Sequence, residues 1–250
     1  MIKPKLSVNI NKIALLRNSR ETTIPSVLGF AKKALSLGAC GITVHPRPDQ
    51  RHITTQDVRD LSTLLKTYPD KEFNVEGNPF EGELGSYPGF MTLVSETRPD
   101  QCTLVPDAPN QKTSDHGWDF QKDGQRVLPL IQDLQKKGCR VSVFVDPIEQ
   151  VIRDAAALKV DRIELYTESY ARAFEKGEGD TSFKTYTQMA ELATALGLGV
   201  NAGHDLNLEN LPRFATLPGL LEVSIGHALV ADSLDYGFSE TVSKYLSKLG

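Results

Sequence analysis

Histidine and glutamate side chains stand where several short apolar runs of this sequence end. His45, His204 and His227 come at or directly after the ends of three runs, Glu76 closes a fourth, and Glu164 lies within a fifth. Imidazole and carboxyl groups often carry protons in enzymes, and burial can bring a carboxyl pKa towards the neutral range in which imidazoles titrate. We therefore expect general acid–base chemistry if the fold brings these run ends together. A structural ion pair with arginine is the alternative for each glutamate.

The turn at residues 45–52, HPRPDQRH, is rich in groups that hold phosphate. It contains Arg47, Arg51 and His52, and a guanidinium group offers phosphate a planar fork of donors. Arg20 belongs to a second arginine pair, of which one member is expected to face solvent while the other could reach the site. The turn therefore predicts an anion-binding segment, with a surface loop of exposed charges as the alternative.

Gly226 and His227 open the last helical stretch. Glycine lets the backbone approach a ligand closely, and the N–H groups of a helix N-terminus attract anions. These residues predict a second phosphate-binding point, although glycine after a strand is also ordinary turn chemistry. Glutamates and histidines together could instead hold a divalent metal. No tight motif such as HExxH is present, and we expect no metal.

The elements that must position these residues alternate along the chain. Eight short β-branched runs are separated by stretches with helical spacing, several of which end in glycine. Runs such as GITV and VSVFV are apolar at successive positions, which suits strands buried on both faces. Eight β-then-α units predict a parallel (β/α)8 TIM barrel that forms a single domain over residues 1–250, with a doubly wound sheet as the alternative. The predicted strands are 6–10, 41–45, 72–76, 101–106, 140–145, 162–166, 199–203 and 222–226.

Two connections are longer than a strand-to-helix turn requires. They follow the fourth and sixth predicted strands, at residues 107–119 and from 167 to about 181. Long loops after the strands of such a barrel often cover or bind a ligand. We predict insertions at both places, as lids or as solvated loops.

Composition and charge narrow the classes of partner. The net charge is -4, with basic and acidic residues mixed along the chain, which argues against nucleic acid as a partner. The three cysteines are far apart, as expected of buried free thiols in a reducing compartment. No apolar run has the length that crosses a bilayer, and the N-terminus has no secretory pattern. We expect a cytoplasmic protein with no membrane association.

Five motifs together resemble the pyridoxine 5'-phosphate synthase family, which closes the ring of vitamin B6. They are VNINKIALLRNSR (8–20), GITVHPR (41–47), RHIT (51–54), VNAGH (200–204) and IGH (225–227). The resemblance spans nearly the whole chain. It implies a transferase that joins 1-deoxy-D-xylulose 5-phosphate to 3-amino-2-oxopropyl phosphate and releases pyridoxine 5'-phosphate, phosphate and water. It also implies that no metal or organic cofactor is used and that the protein is a homo-octamer.

The resemblance also implies a role for each matching residue. His45 and Glu76 correspond to proton acceptors, His204 to a proton donor, and Glu164 to a residue that stabilises a transition state. The expected contacts to the deoxyxylulose phosphate are Arg20, Arg47, His52 and Thr113. The expected contacts to the amino-ketone phosphate are Asn9, the backbone of Asp205, Gly226 and His227.

The sequence departs from the family pattern at three places. Many members carry Asp-His where this chain has Asn11 and Lys12, which puts a side-chain role at these positions in doubt, although Lys12 could supply positive charge. Many carry Gly where this chain has Asp205, whose carboxylate we expect to point away from phosphate, as a helix N-cap. The loop at residues 78–89 is longer than in some relatives.

Two other functions stay open from the sequence. A sugar-phosphate isomerase or aldolase could use the same barrel, and a lysine-dependent aldolase would need Lys12 to form an imine. A barrel that only binds phosphorylated ligands is the alternative from a different class. Clustered carboxylates argue against it, because phosphate binding gains nothing from them.

Overall fold

Eight parallel strands close into a barrel in a computed structural model that describes residues 3–20 and 22–250. Around the barrel the order is β1, β10, β9, β8, β7, β6, β3, β2. The predicted (β/α)8 barrel is therefore confirmed. The barrel strands are β1 (Lys5–Asn9), β2 (Gly41–Val44), β3 (Glu72–Gly77), β6 (Gln101–Leu104), β7 (Arg140–Val145), β8 (Arg162–Leu165), β9 (Gly199–Ala202) and β10 (Leu220–Ile225). A small antiparallel hairpin of β4 (Glu83–Leu84) and β5 (Tyr87–Pro88) follows β3.

Helices occupy the connections between the barrel strands. Some of them begin at a side-chain cap: Thr54 and Asp57 form a reciprocal capping box before the helix that starts at Thr55, and Asp119 accepts from two backbone N–H groups of the helix that starts at Phe120. The helices are α1 (Asn11–Asn18), α2 (Val27–Ser36), α3 (Thr55–Leu65), α4 (Phe90–Thr97), α5 (Phe120–Lys136), α6 (Glu149–Ala157), α7 (Glu168–Glu175), α8 (Gly179–Ala195), α9 (Leu211–Phe214), α10 (His227–Tyr236) and α11 (Phe238–Lys248).

The hydrophobic core is a shell between the strands and the helices. Alternate strand residues such as Ile42, Val44 and Val75 are fully buried and belong to one continuous apolar cluster with helix residues such as Leu61. Because successive side chains of a strand point to opposite faces, these positions face outwards, towards the helices. Burial of this shell is the main stabilising contribution of the fold.

The interior of the barrel is polar. Ser7 and Thr43 share a hydrogen bond of 2.7 Å, and Thr103 Oγ1 donates to Asn74 Oδ1 at 3.1 Å. The prediction that runs such as GITV are apolar on both faces is wrong here, because the inward position carries a hydroxyl. These groups are stable in the interior because they bond to one another.

The two long connections differ in structure. The β6–α5 loop, residues 105–119, contains no helix or strand and is fixed at its end by Trp118, whose Nε1 donates to the carbonyl of Leu104 at 2.9 Å. The connection after β8 contains the short helix α7 before the longer α8.

No helix in the described part of the chain combines the length and hydropathy needed to cross a bilayer. Cys102 and Cys139 are buried and Cys40 is half-buried, and all three are free thiols, as expected.

Candidate active site

A cavity of about 610 Å³ opens at the carboxyl-terminal ends of the barrel strands. It lies where the fold rules place the active sites of such barrels. All the predicted site residues except one contribute to its wall. They are Asn9, His45, Arg47, His52, Glu76, Thr113, Glu164, His204, Asp205, Gly226 and His227.

Arg20 is the exception. It is exposed and does not line the cavity. Its neighbour Arg17 is directed into the protein instead, where Nη2 donates to Asp57 Oδ2 at 2.8 Å and to the carbonyl of His52 at 3.3 Å. This geometry does not support a phosphate contact from Arg20, and that role stays a prediction.

The two glutamates project from the inner face of the barrel without an arginine partner among the described residues. Burial and the neighbouring carboxyl of Glu164 raise the pKa of Glu76 well above its ordinary value, and burial and Glu222 raise the pKa of Glu164 to about 8. Asn9 Nδ2 donates to Glu76 Oε2 at 3.4 Å. Glu164 is therefore largely protonated at neutral pH, and the pKa of Glu76 is shifted in the same direction, so both carboxyl groups are suited to act as acids.

His45 and His52 lie side by side at the end of β2, with ring centroids 6.4 Å apart. Burial and the nearby guanidinium of Arg47 lower the pKa of both rings, that of His52 to about 3. The expectation that they titrate near neutrality is wrong for this environment, because a buried imidazolium beside arginine is disfavoured. Nε2 of His45 has no partner in the described structure. Neutral His45 can therefore accept a proton.

His204 lines another part of the cavity wall, where it packs against two aromatic side chains. Its ring centroid lies 5.4 Å from that of Tyr166 and 6.1 Å from that of Phe144. Thr113 Oγ1 lies 3.3 Å from Nε2, so a residue of the β6–α5 loop contacts this imidazole directly. Burial lowers the pKa of His204, although the carboxylate of Asp205 opposes that effect.

Asp205 does not cap a helix, contrary to expectation. Asn210, not Asp205, precedes α9. Asp205 has a positive φ of 63°, and its carboxylate lies 4.0 Å from Nε2 of His204. A left-handed backbone favours glycine and tolerates aspartate.

Asn9 and Gly226 approach each other closely at the rim of the cavity. A Cβ atom on Gly226 would lie 3.0 Å from the side chain of Asn9, so a larger residue would displace the asparagine. His227 begins α10 directly afterwards. The free N–H groups of that first turn, next to an amide side chain, form a suitable anion-binding corner.

Several residues at the cavity were not identified as site residues from the sequence. Lys112 and Arg172 add cations to the wall besides Lys12, and they come from the two long connections after β6 and β8. Asn11 lines the cavity too, and its Oδ1 accepts from the backbone N–H of His45 at 2.9 Å. Asn11 thus fixes the start of the turn after β2. The only sequence signal that could have identified Lys112 and Arg172 as cavity residues was their position in the two long connections.

Within residues 3–20 and 22–250, no set of three or more His, Cys, Asp or Glu side chains is arranged to hold a metal ion. The glutamates and histidines of the cavity wall therefore do not form a ready set of metal ligands.

Comparison with known proteins places the chain in a family. Residues 6–250 match the family model described as pyridoxal phosphate biosynthesis protein PdxJ. A pyridoxine 5'-phosphate synthase of Xanthomonas campestris pv. campestris (strain B100) is 54% identical over 243 residues, covering 97% of this chain and 94% of that protein. One of Albidiferax ferrireducens is 51% identical over 244 residues, covering 97% and 96%. A solved structure from Aquifex aeolicus VF5 has the same fold, with a TM-score of 0.64 at 16% identity over 99% of this chain and 93% of that one.

The matched residues include all eight barrel strands, apart from Lys5 at the start of β1. They also include every residue of the cavity wall named above. The chain therefore belongs to the PdxJ family of pyridoxal phosphate biosynthesis proteins.

Proposed function

We propose that this protein is a pyridoxine 5'-phosphate synthase, which condenses 1-deoxy-D-xylulose 5-phosphate with 3-amino-2-oxopropyl phosphate. The observation that carries the proposal is the arrangement of the cavity. Two imidazoles and two buried carboxyl groups with raised pKa values, His45, His204, Glu76 and Glu164, line one space together with two separate groups of anion-binding residues.

The two anion-binding regions fit one phosphorylated substrate each. Arg47, His52 and Thr113 would hold the sugar phosphate. The corner of Asn9, Gly226 and His227, with the backbone N–H of residue 205, would hold the phosphate of the amino ketone. Anchoring both phosphates turns the meeting of two molecules into a reaction within one complex, which contributes a large part of the rate.

The proton-transfer steps suit groups whose charge responds to the substrates. Neutral His45 can take a proton from the sugar, and the phosphate charge then stabilises the imidazolium. Glu76 becomes a proton acceptor once the ammonium group of the amino ketone lies near it, because a neighbouring cation lowers a carboxyl pKa. His204 would donate to the leaving oxygen, and protonated Glu164 would hydrogen-bond to negative charge as it develops.

Mixing the purified protein with both substrates tests the function directly. We expect the absorbance of a pyridine ring and the release of inorganic phosphate, neither of which occurs when one substrate is omitted. Tight binding of both substrates by calorimetry without any product would overturn the proposal in favour of a binding protein.

A lysine-dependent aldolase is the enzyme alternative that the cavity makes testable, because Lys12 and Lys112 line it. Borohydride reduction in the presence of substrate would attach substrate carbon to such an enzyme. We expect mass spectrometry to find no such adduct on this protein.

We also propose that the protein assembles as a homo-octamer, as family resemblance implies. Apolar side chains on outer helices support burial against other copies: Leu16 of α1 is 53% exposed and Leu234 of α10 is 82% exposed. Light scattering coupled to gel filtration measures the assembly, and a monomeric mass at micromolar concentration would contradict it.

A further inference from the structure

Asp107 is a fully buried carboxylate near the start of the β6–α5 loop, and the proposed reaction does not use it. Its exposed fraction is 0% and that of its partner Arg47 is 3%. A buried ion pair is a poor source of stability, because desolvation of the two charges offsets their attraction. Arg47 lines the cavity while Asp107 lies behind it, which points instead to a role for Asp107 in orienting other groups.

Three groups from different segments converge on Asp107. The Nη2 atom of Arg47 and the hydroxyl of Ser114 both donate to Oδ2, the latter at 2.8 Å. Asn78, from the loop after β3, donates through Nδ2 to the backbone carbonyl of Asp107 at 2.9 Å. One residue thus joins the turn after β2, the loop after β3 and the middle of the β6–α5 loop.

Two of these contacts lead directly to the cavity. Arg47 lines it, and its Nη1 atom has no partner in the described structure, so the guanidinium group has donors left after binding Asp107. Ser114 adjoins Thr113, whose hydroxyl lies 3.3 Å from Nε2 of His204. Arg51 holds the same loop at a second point, by donating to the carbonyl of Gln111.

We propose that Asp107 is a positioning residue for the sugar-phosphate half of the site. Its carboxylate fixes the plane of the Arg47 guanidinium and, through Ser114, holds Thr113 against His204. The inference rests on the proposed function for the identity of the ligand. Among the described residues, the hydrogen bonds of Asp107 do not reach Asn9, Gly226 or His227, so we expect the affinity of the amino-ketone corner not to depend on this carboxylate.

The test compares Asp107→Asn with Asp115→Asn, which removes an exposed carboxylate from the same loop. Steady-state kinetics measure KM for each substrate separately. We expect Asp107→Asn to raise KM for 1-deoxy-D-xylulose 5-phosphate by about 10- to 100-fold, as loss of a charge-assisted contact does. We expect KM for 3-amino-2-oxopropyl phosphate to change less than about threefold, and Asp115→Asn to match the parent protein. A loss of folded protein would lower kcat without producing this selective change in KM.

A second variant covers the case in which Asp107→Asn does not fold. Ser114→Ala removes one contact to the carboxylate without leaving a buried charge, and we expect a smaller rise of about fivefold in the same KM. Unchanged or equally raised KM values for both substrates in the folded variants would overturn the inference. Calorimetric titration with 1-deoxy-D-xylulose 5-phosphate alone gives the same comparison without turnover, so a failure of the proposed function is distinguished from a failure of this inference.

Discussion

The carboxylate of Asp205 lies 4.0 Å from Nε2 of His204, and the two residues are adjacent in the chain. Asp205 adopts a left-handed backbone conformation, with φ of 63°. An anion at this distance favours the protonated imidazole. The carboxylate of Asp205 thus acts on the proposed proton donor.

Replacing Asp205 should change the titration of His204. We expect Asp205→Asn to lower the pKa of His204 further, because the opposing carboxylate charge is lost while burial remains. Asp205→Gly should lower it equally and also relieve the left-handed strain, which raises stability by about 1 kcal/mol. NMR titration of the imidazole and thermal melts measure the two effects. An unchanged His204 pKa in both variants would contradict the assignment.

Glu164 should lower the stability of the protein as the pH rises. The unfolded chain releases this proton near pH 4.5, whereas the folded chain holds it to about pH 8, so the cost of the folded state grows between these values. Glu164→Gln cannot ionise, and we expect it to be more stable than the parent by about 2–4 kcal/mol at pH 8 and nearly equal at pH 4. Urea unfolding at both pH values measures this, with the exposed Glu175→Gln as the control. A pH-independent difference would contradict the buried, protonated state.

His204→Ala and Glu76→Gln should each keep the fold and lose activity. Removal of a group that transfers a proton costs about 100-fold or more in product formation. Neither variant should melt below the parent, because neither residue belongs to the apolar shell and Glu76→Gln removes a buried carboxyl group whose ionisation opposes folding. Product formation is followed by pyridine absorbance, and near-normal turnover in either variant removes that residue from the mechanism.

Asp57 should contribute stability that disappears in acid. Burial opposes its ionisation, but hydrogen bonds from Arg17 and Thr54 outweigh that effect and lower its pKa below 3.8. The stabilising contribution is therefore present above pH 3.8 and is lost as the pH falls through the lower folded-state value. We expect Asp57→Asn to cost about 1–3 kcal/mol at pH 7, as measured by urea unfolding, and less at pH 3. A constant difference over that range would argue against the ion pair.

The barrel could be predicted from the sequence because its signals are local. Each strand is a separate run of β-branched residues in the sequence. Glycines at helix ends, such as Gly138 and Gly197, mark the turns before the next strand. The convergence of His45, Glu76 and His204 followed from strand polarity alone. The raised pKa values of the two glutamates were also expected. The lowered pKa values of His45 and His52 were not, because they depend on burial beside Arg47, which spacing does not reveal.

Contacts between loops were equally beyond prediction. In the sequence, Asp107 is simply the first residue of a polar loop. Its hydrogen bonds with Arg47 and Ser114 are visible only in the folded chain. The inward direction of the Ser7 and Thr43 hydroxyls could not be predicted either, because the runs that contain them are otherwise apolar.

The division of each strand into an outer apolar face and an inner polar face has a consequence for change over evolution. Substitutions at Thr103 or Ser142 would alter the floor beneath the reacting groups while the strand backbone screens the helices from the alteration. New substrate preferences and greater heat resistance can therefore be acquired independently, the first at odd-numbered positions of β6 and the second at even-numbered ones such as Cys102 and Leu104.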